Sequence, residues 1–231
     1  MQIGIIGAGN IGGTLTRRLT QLGHEVSVAN SRGPETLSDL AGETGAHAVA
    51  AGEAAGGKDL VVVTIPEAKV PDLPDDLFAG AGDDTVVVDT GNYYPQQRDG
   101  AIEGIESGTV ESRWVEEQIG RPVIKAFNNI YADHLLNNGR PSGDGERIAL
   151  PVAGDDQRAK DVVLRLVDEL GFDAVDAGSI DESWRQQPGT PVYTADHDAD
   201  GLRQALADAS PERGDDWRAT SNSPGDFENP Q

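Results

Sequence analysis

The sequence predicts an α/β fold of the doubly wound class, a mostly parallel sheet with helices on both faces and a small carboxy-terminal αβ extension. Three observations carry that expectation. Short apolar runs alternate with amphipathic stretches along most of the chain. Two of these runs, Leu60-Val61-Val62-Val63 and Val86-Val87-Val88, are continuous rather than alternating, as strands covered on both faces are. The first run, Gln2 to Ile6, passes directly into Gly7-Ala8-Gly9-Asn10-Ile11-Gly12 and then into a helical pattern. That strand–turn–helix setting separates a functional G-x-G-x-x-G from a chance match in a chain with 29 glycines.

Strands are expected at about 2–6, 25–29, 59–65, 84–89, 122–126, 148–153 and 172–176, and helices at about 11–22, 35–44, 110–119, 131–137 and 155–170. Residues 1–209 read as one domain, with a nucleotide-binding core over 1–127 and an extension over 128–209. From Ser210 the chain loses periodicity and gathers Pro211, Pro224 and Pro230 among acidic residues, so 210–231 reads as an acidic polar tail without a core of its own.

The glycine loop has a physical reading residue by residue. Gly7 allows the tight turn, Gly9 lets the backbone approach a pyrophosphate, and Gly12 lets the helix pack on the strand. Ala8, Asn10 and Ile11 complete the loop, and the free N–H groups at the helix start face the phosphate charge. The second strand ends at Asn30-Ser31-Arg32. An NAD site would place a carboxylate near this point for the ribose 2′-hydroxyl. Here Ser31 and Arg32 stand instead, which suits a 2′-phosphate and makes NADP the expected cofactor. A charge-assisted hydrogen bond contributes roughly 1.5–3 kcal/mol, enough to favour NADP over NAD by about tenfold to a hundredfold.

Three further strand ends converge where an open parallel sheet forms its ligand crevice: Thr64-Ile65-Pro66, Asp89-Thr90-Gly91-Asn92 and Lys125-Ala126-Phe127-Asn128. Thr64, Ile65, Pro66 and Asn92 are expected at the cofactor, and Pro66, Asn92 and Asn128 at the acceptor. Pro66 breaks the strand and lacks an N–H, and the two amides can both donate and accept. Lys125 faces either the ligand or a neighbouring carboxylate. Of the four histidines only His134, on a helix soon after Asn128, is a candidate for the site. None has a metal-like spacing, so no metal is expected. Asp155 and Asp156 open a helix and read as capping residues. The stretch Ser183 to Pro191 reads as a loop, a lid or a subunit interface.

With these motifs in place, together with Val152-Ala153-Gly154-Asp155-Asp156 and Asp176-Ala177-Gly178, the chain resembles the NADP-dependent reductases of the deazaflavin coenzyme F-420 over about residues 2–193. It is also similar to the nucleotide-binding domain of the six-transmembrane ferric reductases. The resemblance implies a Rossmann-like fold, an NADP site and a homodimer. Deazaflavin reductases commonly carry a histidine where Asn128 stands here. In that respect the chain is closer to the ferric-reductase-like and uncharacterised bacterial members.

No acid–base or nucleophilic constellation is legible. Hydride exchange between a nicotinamide and a flavin-like ring needs chiefly alignment and exclusion of water. The expected function is therefore an NADP-dependent oxidoreductase exchanging a hydride with a flavin or deazaflavin. The alternatives are a non-catalytic NADP-binding sensor and an imine reductase related to the pyrroline-carboxylate reductases.

Composition narrows the partners. There is no cysteine, hence no disulfide or thiolate chemistry, and no apolar stretch long enough to span a membrane. A strand beginning at residue 2 leaves no room for a signal peptide, and a cytoplasmic location is expected. Forty acidic residues against 18 basic ones give a net charge of -22, which disfavours nucleic acid and anionic membranes. The balance resembles that of proteins from salt-accumulating cells, because at molar salt the Debye length of about 3 Å screens the self-repulsion. A halophilic protein is expected to lose its far-ultraviolet dichroism on dialysis from molar to millimolar salt. Indifference to salt would contradict this.

Overall fold

The valine- and isoleucine-rich runs lie side by side at the centre of a six-stranded parallel sheet. The computed structural model describes residues 1–220. In it β1 (Gln2–Ile6), β2 (Glu25–Ala29), β3 (His47–Ala48), β4 (Leu60–Val63), β5 (Val86–Asp89) and β6 (Ile124–Lys125) pair in the order β3-β2-β1-β4-β5-β6. Ile3 lies opposite Val26 on one side and Leu60 on the other, and Val62 lies opposite Val88. All six strands therefore release their chain at one edge, and that edge carries the site.

The period-two alternation of a strand sorts the side chains between two layers. Ile3, Ile5, Leu60, Val62 and Val88 face α1 (Asn10–Gln21), α6 (Ala132–Asn137) and α7 (Gln157–Glu169), with Leu15, Leu19, Leu135, Val163 and Leu166 completing the cluster. Ile6 and Val61 face the other way, onto Ala54 of α3 (Ala51–Ala55) and onto Leu77. Each fully buried aliphatic side chain contributes roughly 1.5–3 kcal/mol, so the two layers supply the main driving force for the sheet.

The last two strands stand apart. β7 (Ala149–Val152) and β8 (Asp173–Asp176) form their own two-stranded parallel sheet, with α7 crossing between them. The link to the main sheet is an antiparallel bridge in which Lys125 N donates to Ala153 O at 2.8 Å and Ala153 N to Lys125 O at 3.0 Å. Local sequence shows that these strands exist but not that they pair with each other. α8 (Ala199–Asp208) covers the pair through Leu202, Ala205 and Leu206 and is capped by Asp198, which accepts from Gly201 N at 2.7 Å. Neither α8 nor β3 nor α3 was expected. Their alanine- and glycine-rich or very short sequences give the hydrophobic pattern little amplitude. Asp156 caps α7 through Ala159 N at 3.0 Å, whereas Asp155 accepts from Ile180 N and pairs with Arg113.

α2 (Ser38–Thr44), α4 (Glu103–Glu106) and α5 (Glu111–Ile119) complete the flanking helices. After α8 the chain returns to the crevice side. Arg213 pairs with buried Glu111 at 2.6 Å, and Gln96 Nε2 donates to Arg218 O at 2.6 Å. Ala219 N donates to Glu106 Oε1 at 2.7 Å. The tail read as lacking its own core thus uses the domain's surface up to Thr220, and its remainder lies outside the described residues. Among the described residues, no helix is long and apolar enough to cross a membrane.

A buried ion pair locks the crevice edge. Lys125 Nζ lies 2.9 Å from Asp89 Oδ2 and 2.6 Å from Gly91 O, and Asp89 also accepts from Gly91 N and Ser112 Oγ, both at 2.7 Å. Burial alone would lower the Lys125 pKa. Asp89, then Glu67 and Glu111, outweigh that and hold it above its ordinary value. Glu67 is fully buried, and neither of its carboxyl oxygens has a hydrogen-bond partner among the described residues. Burial, with Asp89 beside it, raises its pKa well above the usual carboxylate range. The pair therefore serves both strand ends at once. Lys125→Met leaves Asp89 as an uncompensated buried charge and is expected to cost about 3–5 kcal/mol in urea unfolding. A cost below about 1 kcal/mol, typical of exposed pairs, would contradict this role.

Candidate active site

The glycine loop is packed tight on its inner side and bare on its outer side. A side chain at Gly7, whose φ is +108°, would meet Thr64 O at 2.1 Å, and one at Gly12 would meet Gly7 O at 1.9 Å. At Gly9 a side chain would meet nothing within 4 Å. The buried glycines are therefore demanded by the protein itself, whereas Gly9 keeps an outside approach open. α1 begins here without a side-chain cap, so its first N–H groups are left for an external acceptor. Both properties fit a pyrophosphate.

A cavity of about 590 Å³ runs from Ala8, Gly9 and Asn10 to Arg32 and Thr36. Asn30 shapes its far end: Oδ1 accepts from Arg32 N and Nδ2 donates to Thr36 Oγ1, both at 2.9 Å. The exposed Arg32 guanidinium has no hydrogen bond or ion pair with any described residue. Arg17, on the same cavity wall, is already closed by Glu43 through two contacts of 2.7 Å. Arg32 is thus the wall's free cation for a phosphate, with Ser31 exposed beside it.

On the other side of Gly9 and Asn10 the groove continues into a cleft of about 510 Å³. Ile11, Thr64, Ile65 and Pro66 line it together with Asn92, Tyr94, Arg98, Tyr131 and Tyr193. Thr64, Pro66 and Asn92 therefore meet as the sequence suggested. Asn128 does not reach this cleft. It is buried, its Nδ2 donates to Asn92 Oδ1 at 3.0 Å and Gln186 O at 2.8 Å, and its Oδ1 accepts from Gln186 Nε2 at 2.9 Å. Asn92 Nδ2 returns a bond to Asn128 O at 2.9 Å. Every polar atom of the Asn128 amide is thus engaged in holding Asn92 and the turn Ile180–Gln186. The stretch from Ser183 is thus tied to Asn92 through the bonds of Gln186 to Asn128.

Two non-glycine residues in the left-handed region flank this arrangement, Phe127 at φ +62° and Thr194 at φ +55°. Each costs of order 1–3 kcal/mol, and such strain gathers at functional sites. Thr194 N donates to Asn129 O at 2.8 Å, bringing the segment of Tyr193 to the end of β6. His134 pairs with Asp196 at 2.7 Å and is not part of the cleft wall.

Sequence reasoning missed the aromatic and cationic wall. The hydroxyls of Tyr94 and Tyr193 share a short hydrogen bond. Arg98 lies 4.9 Å from the centre of the Tyr94 ring, and its Nη2 donates to Asn92 O at 2.5 Å. The Trp217 ring packs on both tyrosines, at 6.0 and 6.3 Å between centroids. Burial raises the pKa of both phenols above the ordinary value, that of Tyr193 the further. The cleft thus carries two phenol hydroxyls that the sequence reading did not place there. Tyr94 follows two residues after the flagged Asn92, but no local signal places Tyr193, 99 residues later, against it.

Residues 2–93 match the family described as NADP oxidoreductase coenzyme F420-dependent. The Escherichia coli K12 protein YjhV is 46% identical over 77 residues, which cover 33% of this chain and 54% of YjhV, so the match spans about half of that relative. A solved hypothetical protein from Sinorhizobium meliloti is 29% identical, with 85% of this chain and 95% of that one covered and a TM-score of 0.71. A candidate F420-dependent NADP-reductase from Arthrobacter sp. FB24 is 26% identical, with 78% and 86% covered and a TM-score of 0.62. An imine reductase from a Pseudomonas species, at 20% identity, 77% and 55% coverage and a TM-score of 0.54, shares the fold. Over residues 2–93, its nucleotide-binding part, the chain is thus similar to the coenzyme F420-dependent NADP oxidoreductases.

Proposed function

We propose that the protein exchanges a hydride between NADPH and a flavin-like acceptor, a deazaflavin or a flavin. One observation carries the reading: a phosphate groove with a free arginine at one end runs, through Gly9 and Asn10, into a cleft walled by flat side chains. An elongated ligand with an anionic adenosine end and a planar redox end has that shape.

The residues fit such a ligand from end to end. Arg32 and Ser31 would hold the 2′-phosphate, and the bare backbone at Gly9 with the uncapped start of α1 would hold the pyrophosphate. Thr64, Ile65 and Pro66 would flank the nicotinamide, which when bound supplies the hydride. Pro66 offers no N–H that would draw water to that wall. Asn92, its amide fixed by Asn128, is aimed rather than free to rotate, which is the pre-orientation that hydride exchange requires. Tyr131, half exposed at the rim, offers a ring for a planar acceptor to lie against.

The test is NADPH oxidation in high salt with a deazaflavin coenzyme, FMN, FAD, a ferric chelate and a cyclic imine as separate acceptors. Turnover with a flavin or deazaflavin, and little with the imine, is expected. Turnover with the imine alone would move the protein to imine reduction. NADPH binding without turnover on any acceptor would make it a sensor.

A further inference from the structure

We propose that Tyr94 and Tyr193 form a two-phenol proton relay that protonates the acceptor as it is reduced. The inference rests on the hydride exchange proposed above and assigns the residues that handle its proton. A flavin-like ring, unlike a nicotinamide, takes up a proton on a ring nitrogen at the far end of the conjugated path from the position that takes the hydride. Some group must supply that proton.

The geometry singles out the pair. Both residues line the cleft that Ile65 and Pro66 also line. Their hydroxyls share a hydrogen bond in which one phenol donates to the other, Tyr94 also meets the Asn92 side chain, and the accepting phenol keeps its own O–H for a further partner. The pair is held in place from three sides: Arg98 lies against the Tyr94 ring, Trp217 packs on both rings, and the left-handed Thr194 follows Tyr193 directly. The charged and titratable groups facing it are Arg98, Glu111 and Tyr131. Glu111 is already bound to Arg213 at 2.6 Å and accepts from Tyr93 N at 3.3 Å, so it does not compete for the proton. Burial raises the pKa of both phenols above that of a free tyrosine, so both carry their proton at neutral pH.

The step balances. As the acceptor takes the hydride, with its two electrons, the O–H bond of the outer phenol breaks and an N–H bond forms on the acceptor. The inner phenol passes its proton to the outer oxygen and is reprotonated by water. The sum is NADPH, acceptor and one proton going to NADP⁺ and the reduced acceptor.

The double variant Tyr94→Phe/Tyr193→Phe keeps both rings against Trp217 and removes only the oxygens. With the acceptor that serves the wild type, its kcat is expected to fall by about a hundredfold or more, with the KM for NADPH unchanged and the solvent deuterium isotope effect lost. A second readout needs no turnover. The tyrosinate absorbance that grows in near pH 10 should be the same in wild type and variant, because the pair does not ionise there. A kcat within about threefold of wild type, or a tyrosinate signal clearly reduced in the variant, would overturn the relay. If the double variant does not bind NADPH, the single Tyr193→Phe is judged by the same criteria. A wild type inactive on every acceptor would overturn the hydride exchange itself, whereas an active wild type matched by its variant overturns the relay alone.

Discussion

The buried contact of Lys125 with Asp89 and Gly91 O sets the position of everything on the crevice side. It joins the last residue of β5 to the last of β6, and through Ser112 it also holds the start of α5. Asn92 and Tyr94 leave β5 just beyond this knot, and Phe127 and Asn128 leave β6 just beyond it. The Asn92–Asn128 exchange of hydrogen bonds closes the two exits against each other. Glu67 packs behind Gly91, where its carboxyl fills the space a side chain at Gly91 would need. The crevice is therefore rigid at its base, and only the side chains above it are free to answer a ligand.

The cationic groups are placed sparingly in a chain of net charge -22. Arg32 lines one end of the groove with its guanidinium free, whereas Arg98 at the other end is paired with Asp99 at 2.8 Å, and most of the remaining arginines are likewise tied into ion pairs or to carbonyl oxygens. Against the strongly acidic surface this leaves Arg32 as the distinctive contact for an anionic ligand, and at high salt, where distant charges are screened, only contacts within a few ångströms matter.

Much of the nucleotide end was legible in the sequence because its physics is local. Gly7, Gly9 and Gly12 act within one turn, Ser31 and Arg32 follow directly from a strand end, and the continuous valine runs announce a sheet covered on both faces. The acceptor end was legible only in part. Pro66 and Asn92 could be placed because strand ends converge in a parallel sheet. Asn128 was assigned to the ligand although it is consumed in holding Asn92, since a sequence shows that an amide stands at a strand end but not what it bonds. Tyr193 and Trp217 come from a segment whose path depends on the separate β7–β8 sheet and on the returning chain, and both are decided by tertiary packing. Lys125 has the same lesson in reverse: its place in a strand was clear, and its partner was not.

The central claim is that this groove reads the 2′-phosphate of NADP through Arg32. Titrating NADPH and NADH into the wild type and into Arg32→Ala by calorimetry, in molar salt, tests it most directly. The wild type is expected to bind NADPH about tenfold to a hundredfold more tightly than NADH, and Arg32→Ala is expected to lose that margin while still binding NADH as before. Equal affinities in the wild type, or a preference for NADPH that survives in Arg32→Ala, would contradict it.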